Sequence, residues 1–589
     1  MPAAAPEVVV VGAGPVGLTA AHELARRGLR VRLVDAAPAP AVTSRAVAVH
    51  PRTLETFTQM GVVDAMLPHG RKNRAFTMFA GGRRLVRLEA DYSSMPTSHP
   101  YTLIVAQTDT EAVLRAAVAR LGVQIEWNTR LTGFRQDTDG VHVRLTRADG
   151  TEESLRTSWL VGCDGGHSTV RKLLGLELIG TTSETWMLAD APVDTDLPPD
   201  TIYWTHTGRQ ALMMVPYARD GHWRLLDTAP RTGGTGAGAE AGAAARLSAK
   251  LSAGLGRRVR VGEPEWTSVF TFQQRMVPRM RVGRVFVAGD AAHVHSPASG
   301  QGMNTGIQEA YNLGWKLAQV HHRHAGSRLL DTYGEERVPV GRALLGSTRT
   351  ATFLVQMKNL LASVALPAVF AVVRTVPALR RAIQRKVLGG MSGLRIAYRE
   401  SSLTTAETRE HLGWAAQGVV LATLPEHAPA PGERVTAGQV HDPAAPGCRA
   451  LQDELRDPRW SLLFAPGGAH AGSDDAPDDT PDDVAVTAAV QYGEWLSVRT
   501  VEDDGGRTGP APLPDPGGAL RTALGLPPGG WLLVRPDGYV AARGALLTRA
   551  ALRGALAPLA PSEPLAGMAR LEPGLVLPAP THRPKEQGA

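Results

Sequence analysis

Residues 7–17, EVVVVGAGPVG, limit what this chain can fold into more than any other stretch. Four consecutive valines run straight into Gly12-Ala13-Gly14-Pro15-Val16-Gly17, and the apolar spacing that follows, Leu18, Ala21, Leu24 and Ala25, stops at Gly28. β-Branched residues favour a buried strand, while the i, i+3 spacing belongs to a helix. A second apolar run, Val31–Val34, ends at Asp35, roughly twenty positions after the first glycine, the distance at which a dinucleotide fold places an acidic residue. A lone GxGxxG says little; in a strand–turn–helix–strand context it predicts a pyrophosphate over the helix N-terminus and ribose hydroxyls on Asp35.

Two further junctions of the same kind lie downstream. Leu160–Cys163 leads into Asp164-Gly165-Gly166-His167-Ser168-Thr169-Val170-Arg171. The stretch 284–304, RVFVAGDAAHVHSPASGQGMN, reads as a buried strand, then Gly289-Asp290, then the turn Gly300-Gln301-Gly302 opening a long helix. Glycine has no Cβ to hold a ligand off the backbone, and an aspartate at a strand end suits a sugar hydroxyl. Taken singly, each also fits an ordinary strand–turn–helix. Together, GxGxxG, DGxxSxVR and RVFxAGDAAHxxxPxxGQGMN, in this order, resemble the FAD-dependent aromatic hydroxylases, the class A flavoprotein monooxygenases that include para-hydroxybenzoate hydroxylase and phenol hydroxylase.

The resemblance implies an α/β chain with an FAD-binding, Rossmann-like fold of the GR2 type, an inserted β-sheet substrate domain and a C-terminal thioredoxin-like domain. The last rests on the order of strands in the tail and on LLVRPDGYVAAR, similar to larger aromatic hydroxylases such as the actinobacterial polyketide hydroxylases. The boundaries expected are 1–179 and 276–345 for the FAD domain, 180–275 for the substrate sheet, 346–411 for a helical linker and 412–589 for the tail. By resemblance, Gly12, Gly14, Pro15, Gly17, Asp35, Gln107, Asp164, Gly165, Gly289, Asp290, Gly302, Met303 and Asn304 hold FAD. Arg45, Pro297, Gly300 and Gln301 flank the reacting ring. Gly14 and Asp35 are placed on the adenosine diphosphate half, Asp164 and Asp290 nearer the ribityl and pyrophosphate. Arg45 is expected to help bind the nicotinamide, a plain surface arginine being the alternative.

The chemistry implied is that of the cofactor, with the protein supplying position, electrostatics and dryness. NADPH or NADH reduces FAD, O2 adds at C4a, and the hydroperoxide's distal oxygen attacks an electron-rich aromatic carbon. Phenol hydroxylase has a catalytic aspartate where this chain has Val47. The deprotonating group is therefore open, and an already acidic polycyclic hydroxyquinone would need it least. A Baeyer–Villiger or epoxidising oxygenase fits the same scaffold. A flavin halogenase would carry a Trp-x-Trp-x-Ile-Pro segment, which is absent. A non-catalytic FAD-binding interaction protein would have no need of an intact GDAAH and GQGMN.

Between the flavin motifs, short strand-like runs carry Trp186, Tyr203, Trp204, Trp223, Trp266, Phe270 and Phe272. Aromatics at strand spacing are either plain core or the wall of a flat apolar site; Trp186, Trp204, Trp223, Phe272 and Gln273 are the candidates for substrate contact. Residues 232–245 read as a loop or frayed helix. Helices are expected over 308–322, 329–345 and 352–385, the last broken at Pro367 and Pro377, and His50-Pro51 as a loop entering a helix. Residues 473–483, SDDAPDDTPDD, read as a disordered acidic loop.

Composition narrows the partners. The net charge is +7 and the pI about 9.6, yet no Lys/Arg block with interleaved aromatics occurs, so nucleic acid is not expected. The two cysteines, Cys163 and Cys448, form no CxxC, which points to a reducing compartment and against thiol chemistry. Cys448 sits in a turn-like sequence. No histidine group has the partners of a metal site, and no metal is expected. The start of the chain lacks a signal-like n-region and h-region, and the apolar stretch 360–373 is too short to span a bilayer. A cytoplasmic monomer or homodimer is the expectation.

Overall fold

The computed structural model describes residues 5–207, 210–228, 242–295, 300–356, 375–404, 428–436, 438, 445–467, 480–503 and 512–560; side chains at 182–184, 272, 347–356, 377 and 380 lie outside that description. Its centre is a six-stranded sheet in the order Arg281–Val282, Val285–Val287, Trp159–Gly162, Val8–Val11, Val31–Val34 and Ile125–Glu126. All pairs are parallel except the edge pair made by Arg281–Val282. Val8–Val11 is buried at every position, as a strand covered on both faces must be, and this is why it reads as continuous valine rather than as an alternation. Helices Pro15–Ala25 and Gly302–His321 pack against each other over this sheet. They approach closely enough that a Cβ at Gly314 would lie 2.6 Å from that of Glu23.

The second sheet runs His293–Val294, Trp266–Met276, Ile179–Asp194, His222–Asp227, Gln210–Pro216, Thr201–Thr207, Ala75–Ala80 and Arg83–Glu89, with Arg260–Val261 paired to Ile179–Asp194. It is therefore not confined to the expected interval 180–275. Ala75–Ala80 joins through parallel pairing with Thr201–Thr207, a long-range contact that no local turn signal announces. At the other edge, His293–Val294 pairs with Arg275 and Met276, so the third flavin-type motif is hydrogen-bonded directly to this sheet.

The tail builds a five-stranded sheet in the order Leu513–Pro514, Leu496–Glu502, Trp460–Phe464, Trp531–Val534 and Val540–Gly544. Its first three members are mutually parallel and the last two antiparallel. Helix Pro481–Tyr492 connects the central parallel pair.

Several local expectations change. The last residues of the acidic stretch are ordered: Thr480 accepts from the Asp483 amide and Asp483 returns the bond, a capping box with Pro481 in the first turn. The S/T-x-x-D/E pattern stands in the sequence, obscured by the acidity around it; residues 473–479 lie outside the described set. Cys448 is not in a turn but in helix Pro446–Glu454, buried with Leu451. The expected helix 329–345 begins at Asp331 and runs to Gln356 with Pro339 inside it. The one after it is described as Pro377–Ser392; 357–374 lie outside the description, as do 232–241, while helix Ala243–Leu255 occupies the end of that expected loop.

Candidate active site at the ends of the parallel strands

The ladder of the central sheet continues one residue past each strand: Gly12 N–H donates to the Val34 carbonyl (2.8 Å), Cys163 N–H to Val11 (2.8 Å) and Ala288 N–H to Gly162 (3.0 Å). Three turns are thereby drawn together at the carboxyl ends of the strands, where open α/β sheets bind ligands. Gly12 has φ +102°, and a Cβ there would lie 2.4 Å from the Cys163 carbonyl oxygen; one on Gly17 would lie 1.8 Å from the Gly12 oxygen. One on Gly289 would meet Val16 at 2.8 Å. These three glycines are packing requirements. Gly14 is different: a Cβ there meets nothing beyond its chain neighbours within 4 Å among the described residues. Helix Pro15–Ala25 starts at Gly14 with no side-chain cap and no acidic residue in its first turn, so its orphan N–H groups and its dipole are left for an anion.

Asp35 accepts from the amides of Ala13 (2.6 Å) and Ala37 (2.8 Å), which fixes its carboxylate beside the first turn. Asp164 points its carboxylate back onto the protein, accepting from the amides of Thr169 (2.6 Å) and Val170 (3.1 Å) and from the Ser168 hydroxyl. It braces the start of helix Thr169–Leu173, and Gly165 lies in the turn between them.

In the third turn, Glu309 anchors the backbone: Gly289 N–H donates to Oε2 (2.8 Å), and His293 Nε2 is 2.7 Å from Oε1. That buried carboxylate raises the His293 pKa against the opposing effect of burial. Asp290 remains exposed. Crowding by surrounding protein nevertheless raises its pKa above the ordinary carboxylate value, outweighing the lowering effect of His293 and Arg45. Asn304 is a brace: His50 N–H donates to its Oδ1, and its Nδ2 donates to the carbonyls of Ala48 and Gly300, each at 2.8 Å. Gly300, at φ +62°, has Ala48 Cβ only 3.2 Å from where its own Cβ would be. Gln301 Nε2 donates to the Gly390 carbonyl (2.7 Å). Gly302 opens the helix against His295, and Met303 packs on the main core. Pro297 lies outside the described residues.

Arg45 has an exposed side chain that makes no hydrogen bond or ion pair among the described residues, but it is close enough to Asp290 to lower that carboxyl's pKa. Its backbone is held from both sides. Gln107, the first residue of helix Gln107–Arg120, donates its N–H to Ser44 Oγ (2.8 Å) and accepts from Ala46 N–H at Oε1 (3.0 Å). From the second sheet, Arg224 donates to the carbonyls of Ser44 and Arg45.

The two faces of the second sheet separate the expected substrate residues. Trp186 and Trp204 lie on the face that packs with Val47, Ala48 and Ile104 of the first unit. Trp223 lies on the opposite face, buried with Tyr203 beneath helix Ala243–Leu255. It is core, and the period of two that put it one position out of phase with that face is the reason. Gln273 is exposed, and the Phe272 side chain lies outside the description. The face toward the flavin motifs is completed by Phe76, Met78, Trp266 and Phe270. Among the described residues no group of three or more His, Cys, Asp or Glu is placed to hold a metal ion, and no helix is long and apolar enough to cross a membrane.

Comparison with known proteins settles the family. Residues 5–348 match the family model described as FAD binding domain. Over 541 residues, 92% of this chain and 91% of the other, the sequence is 47% identical to 6-methylpretetramide 4-monooxygenase of Streptomyces rimosus. The chain belongs to the FAD-dependent aromatic hydroxylases. Pentachlorophenol 4-monooxygenase of Sphingobium chlorophenolicum is 34% identical over 345 residues, 58% of this chain and 63% of the relative. Among solved structures, anhydrotetracycline hydroxylase from Streptomyces rimosus superposes with a TM-score of 0.67 at 28% identity, covering 95% of this chain and 100% of that one.

The turns of this hydroxylase fit FAD: an open position at Gly14, an uncapped helix start for the pyrophosphate, and Asp35, Asp290 and Arg45 around the converging strand ends. Sequence reasoning missed Arg224, Asp190, Phe76 and Met78. The signal for the first was available, since Arg224 interrupts the apolar run Trp223–Leu226 at an inward position where an arginine must have buried partners. Nothing local marked the other three.

Proposed function

We propose that this hydroxylase is an NAD(P)H-consuming monooxygenase that places a hydroxyl group on a polycyclic, tetracycline-type aromatic polyketide. One observation carries the substrate class: 47% identity along 92% of the chain to an enzyme named for 6-methylpretetramide, with the anhydrotetracycline hydroxylase as a structural relative over nearly its full length. The half-buried Phe76, Met78, Trp266 and Phe270, backed by the buried Trp186 and Trp204, support a flat, apolar ligand. Bound FAD, reduced by a nicotinamide and reoxidised by O2, supplies the oxygen transfer.

The chain's own residues do the rest in this reading. Orphan amides of Val16 and Gly17 and the open Gly14 turn hold the pyrophosphate, Asp35 the adenosine ribose, and Asp290 the hydroxyls nearer the ring. Gly300, Gln301 and the Asn304 brace keep backbone amides at the ring edge. Arg45 presents a positive charge to the nicotinamide or to the developing negative charge of the ring. The apolar face keeps water from the reacting atoms. With Val47 at the position of an aspartate in phenol hydroxylase, an acidic polyphenol supplies its own ionised oxygen.

We read the tail as thioredoxin-like in its β-α-β then β-β-α order, with no thiol role, and residues 1–179 and 276–345 as the FAD unit, amended so that strands at 75–89 belong to the substrate sheet. The test is NADPH and NADH oxidation by the purified yellow protein, with and without a hydroxylated naphthacene and with simple phenols, coupled to product mass spectrometry. A product sixteen mass units heavier, with a new phenolic hydroxyl seen by NMR, is expected from the polycycle; the NMR is needed because a lactone or an epoxide has the same mass. Turnover with small phenols alone, or a lactone or epoxide product, would overturn the reading.

A further inference from the structure

His206 stands on the inner face of the second sheet without the partner that a buried polar group normally has. Its place on that face follows from register. It lies two residues beyond Trp204 on strand Thr201–Thr207, and side chains of a strand alternate between faces. Its neighbours across the sheet agree. Ala211 stands opposite it and belongs to the cluster packed with Val47, Ala48 and Ile104; on the other side Ala80 continues the run of Phe76 and Met78. The side chain is only 8% exposed, and its Nε2 is shut off from solvent with no hydrogen-bond partner among the described residues.

The surroundings offer this nitrogen little. Ala80 and Ala211 carry methyl groups, and the Thr228 hydroxyl is spent on Ala211, accepting from its N–H (3.0 Å) and donating to its carbonyl (2.9 Å). A polar atom buried without a partner is costly, and a leucine would fill the place without that penalty. Burial pushes the His206 pKa down to about 4, so the imidazole is neutral, with one nitrogen a donor and the other an acceptor. Nε2 therefore suits a keto oxygen or a hydroxyl and offers nothing to an apolar ring edge.

The row of side chains containing His206 and Ala211 crosses the sheet through Thr228 to Trp186, which pairs with Phe270. The Asp190–Arg224 pair lies four residues from Trp186 along strand Ile179–Asp194, about 13 Å at the rise of a strand. Between the two ends the face is apolar, with Trp204, Met213, Leu226 and Leu188. Apolar walls with few placed polar groups are the pattern of a small-molecule site. Apolar contact is also non-directional, so a flat ligand on such a face can slide or turn end for end unless a polar contact breaks the degeneracy.

We propose that His206 is a specificity-determining residue whose Nε2 hydrogen-bonds one oxygen substituent of the polycyclic substrate, a ring hydroxyl or keto group, and thereby fixes the direction in which the polycycle lies and the carbon that is hydroxylated. The inference rests on the proposed function, since it takes a polycycle to be the ligand of this face.

The experiment uses the full-length, FAD-loaded enzyme as wild type, His206→Phe and His206→Gln, with a hydroxylated naphthacene and a set of analogues that each lack one of its oxygens. Affinity is read from the change in flavin absorbance on titration, and the position of hydroxylation by NMR of the products. For wild type, removal of one particular oxygen should weaken binding about tenfold or more, because that analogue leaves the buried nitrogen unpaired. In His206→Phe this discrimination should fall to near one, the analogue binding at least as well as to wild type, and hydroxylation of the parent should spread over more than one carbon. His206→Gln, which keeps a donor and an acceptor, should retain more of the discrimination than His206→Phe. General damage to the fold weakens the parent and every analogue alike and does not reproduce this pattern. If His206→Phe fails to hold FAD, His206→Leu reads the same ratios. A wild type indifferent to the loss of any single oxygen, or an apolar variant that keeps the wild-type discrimination or weakens all ligands equally, overturns the inference alone; a wild type that binds no polycycle overturns the functional reading and this inference with it.

Discussion

Replacing Gly14 by valine separates ligand binding from folding, because the structure gives the two glycines of one motif opposite surroundings. At Gly14, with φ −74° and nothing but its chain neighbours within 4 Å of where a Cβ would stand among the described residues, a side chain extends into the space left over the helix start. The cost to the folded apoprotein is that of a poor N-cap residue, about 1 kcal/mol. The cost to FAD is larger. An isopropyl group there blocks approach to the orphan amides, and losing one or two hydrogen bonds to a charged oxygen, at about 1.5–3 kcal/mol each, weakens binding roughly 10- to 10⁴-fold. Gly14→Val should therefore purify largely colourless, with an apoprotein Tm within a few degrees of apo wild type. Comparing apo forms removes the stabilisation that bound ligand itself confers. Gly17→Ala is the contrast: its methyl would sit 1.8 Å from the Gly12 oxygen, so backbone must move, and loss of about 3 kcal/mol or more of stability is expected. Flavin absorbance per protein and calorimetry on both variants decide the matter. A yellow, fully occupied Gly14→Val, or one as destabilised as Gly17→Ala, would refute the assignment of that open space to FAD.

Arg45→Ala should keep FAD content and Tm, since the side chain is exposed and unbonded among the described residues, yet lose about 10- to 100-fold in its reduction by NADPH, the worth of one charge-assisted contact; an unchanged rate in stopped flow sinks that role. His206 is buried and its pKa is pushed down to about 4 by burial, so the folded state keeps it neutral while the unfolded chain takes up a proton near pH 6.5. Its contribution is intact above that pH and is lost as pH falls, by about 2 kcal/mol at pH 5; His206→Gln should flatten the acid limb of a stability–pH profile, and an identical limb counts against the argument. Cys448→Ser should leave turnover unchanged, because the cysteine is buried in an apolar cluster with no second thiol near it in sequence; loss of activity from this substitution alone would show thiol chemistry in the tail.

What could be read in the sequence was local. Val8–Val11, Gly12 and Gly17 announce themselves because a buried parallel strand and a close helix–strand approach each admit few residue types. The period of two also foretold that aromatics of the second sheet would be buried, but not on which side. Trp186 and Trp223 look alike in sequence and end on opposite faces, since the face depends on pairing register across strands far apart in the chain. Asp164 and Asn304 were legible as motif residues, but their hydrogen bonds run to protein backbone, something no spacing rule distinguishes from a ligand contact. Ala75–Ala80 was illegible as a member of the second sheet for the same reason: its partner lies more than a hundred positions away.

The tail makes sense through the helix Gly302–His321, whose two ends serve different parts of the molecule. Its first turn carries Asn304 and the glycine turn, and Glu309 anchors Gly289 and His293. Farther along, Asn312 donates to Asp537 (2.9 Å), Lys316 donates to Glu336 (2.7 Å), and Trp315 meets Trp460 edge-on at 5.5 Å. Arg535 closes the network with two bonds to Glu336 and two to Asp537. Of the described tail tryptophans, Trp460 docks on this helix and Trp495 lies against His324, whereas Trp531 turns its indole N–H to Leu546 inside the tail. A buried ion network is a weak source of stability, because desolvation offsets most of its attraction. It is a strong source of register, because each charge is tolerated only when its partner is in place. The tail's Arg535 and Asp537 are satisfied in one docked position, and that position fixes the far half of the helix whose near end carries the Gly300–Gly302 turn. The tail is thus tied to the glycine turn at the start of this helix through a rigid element about 30 Å long.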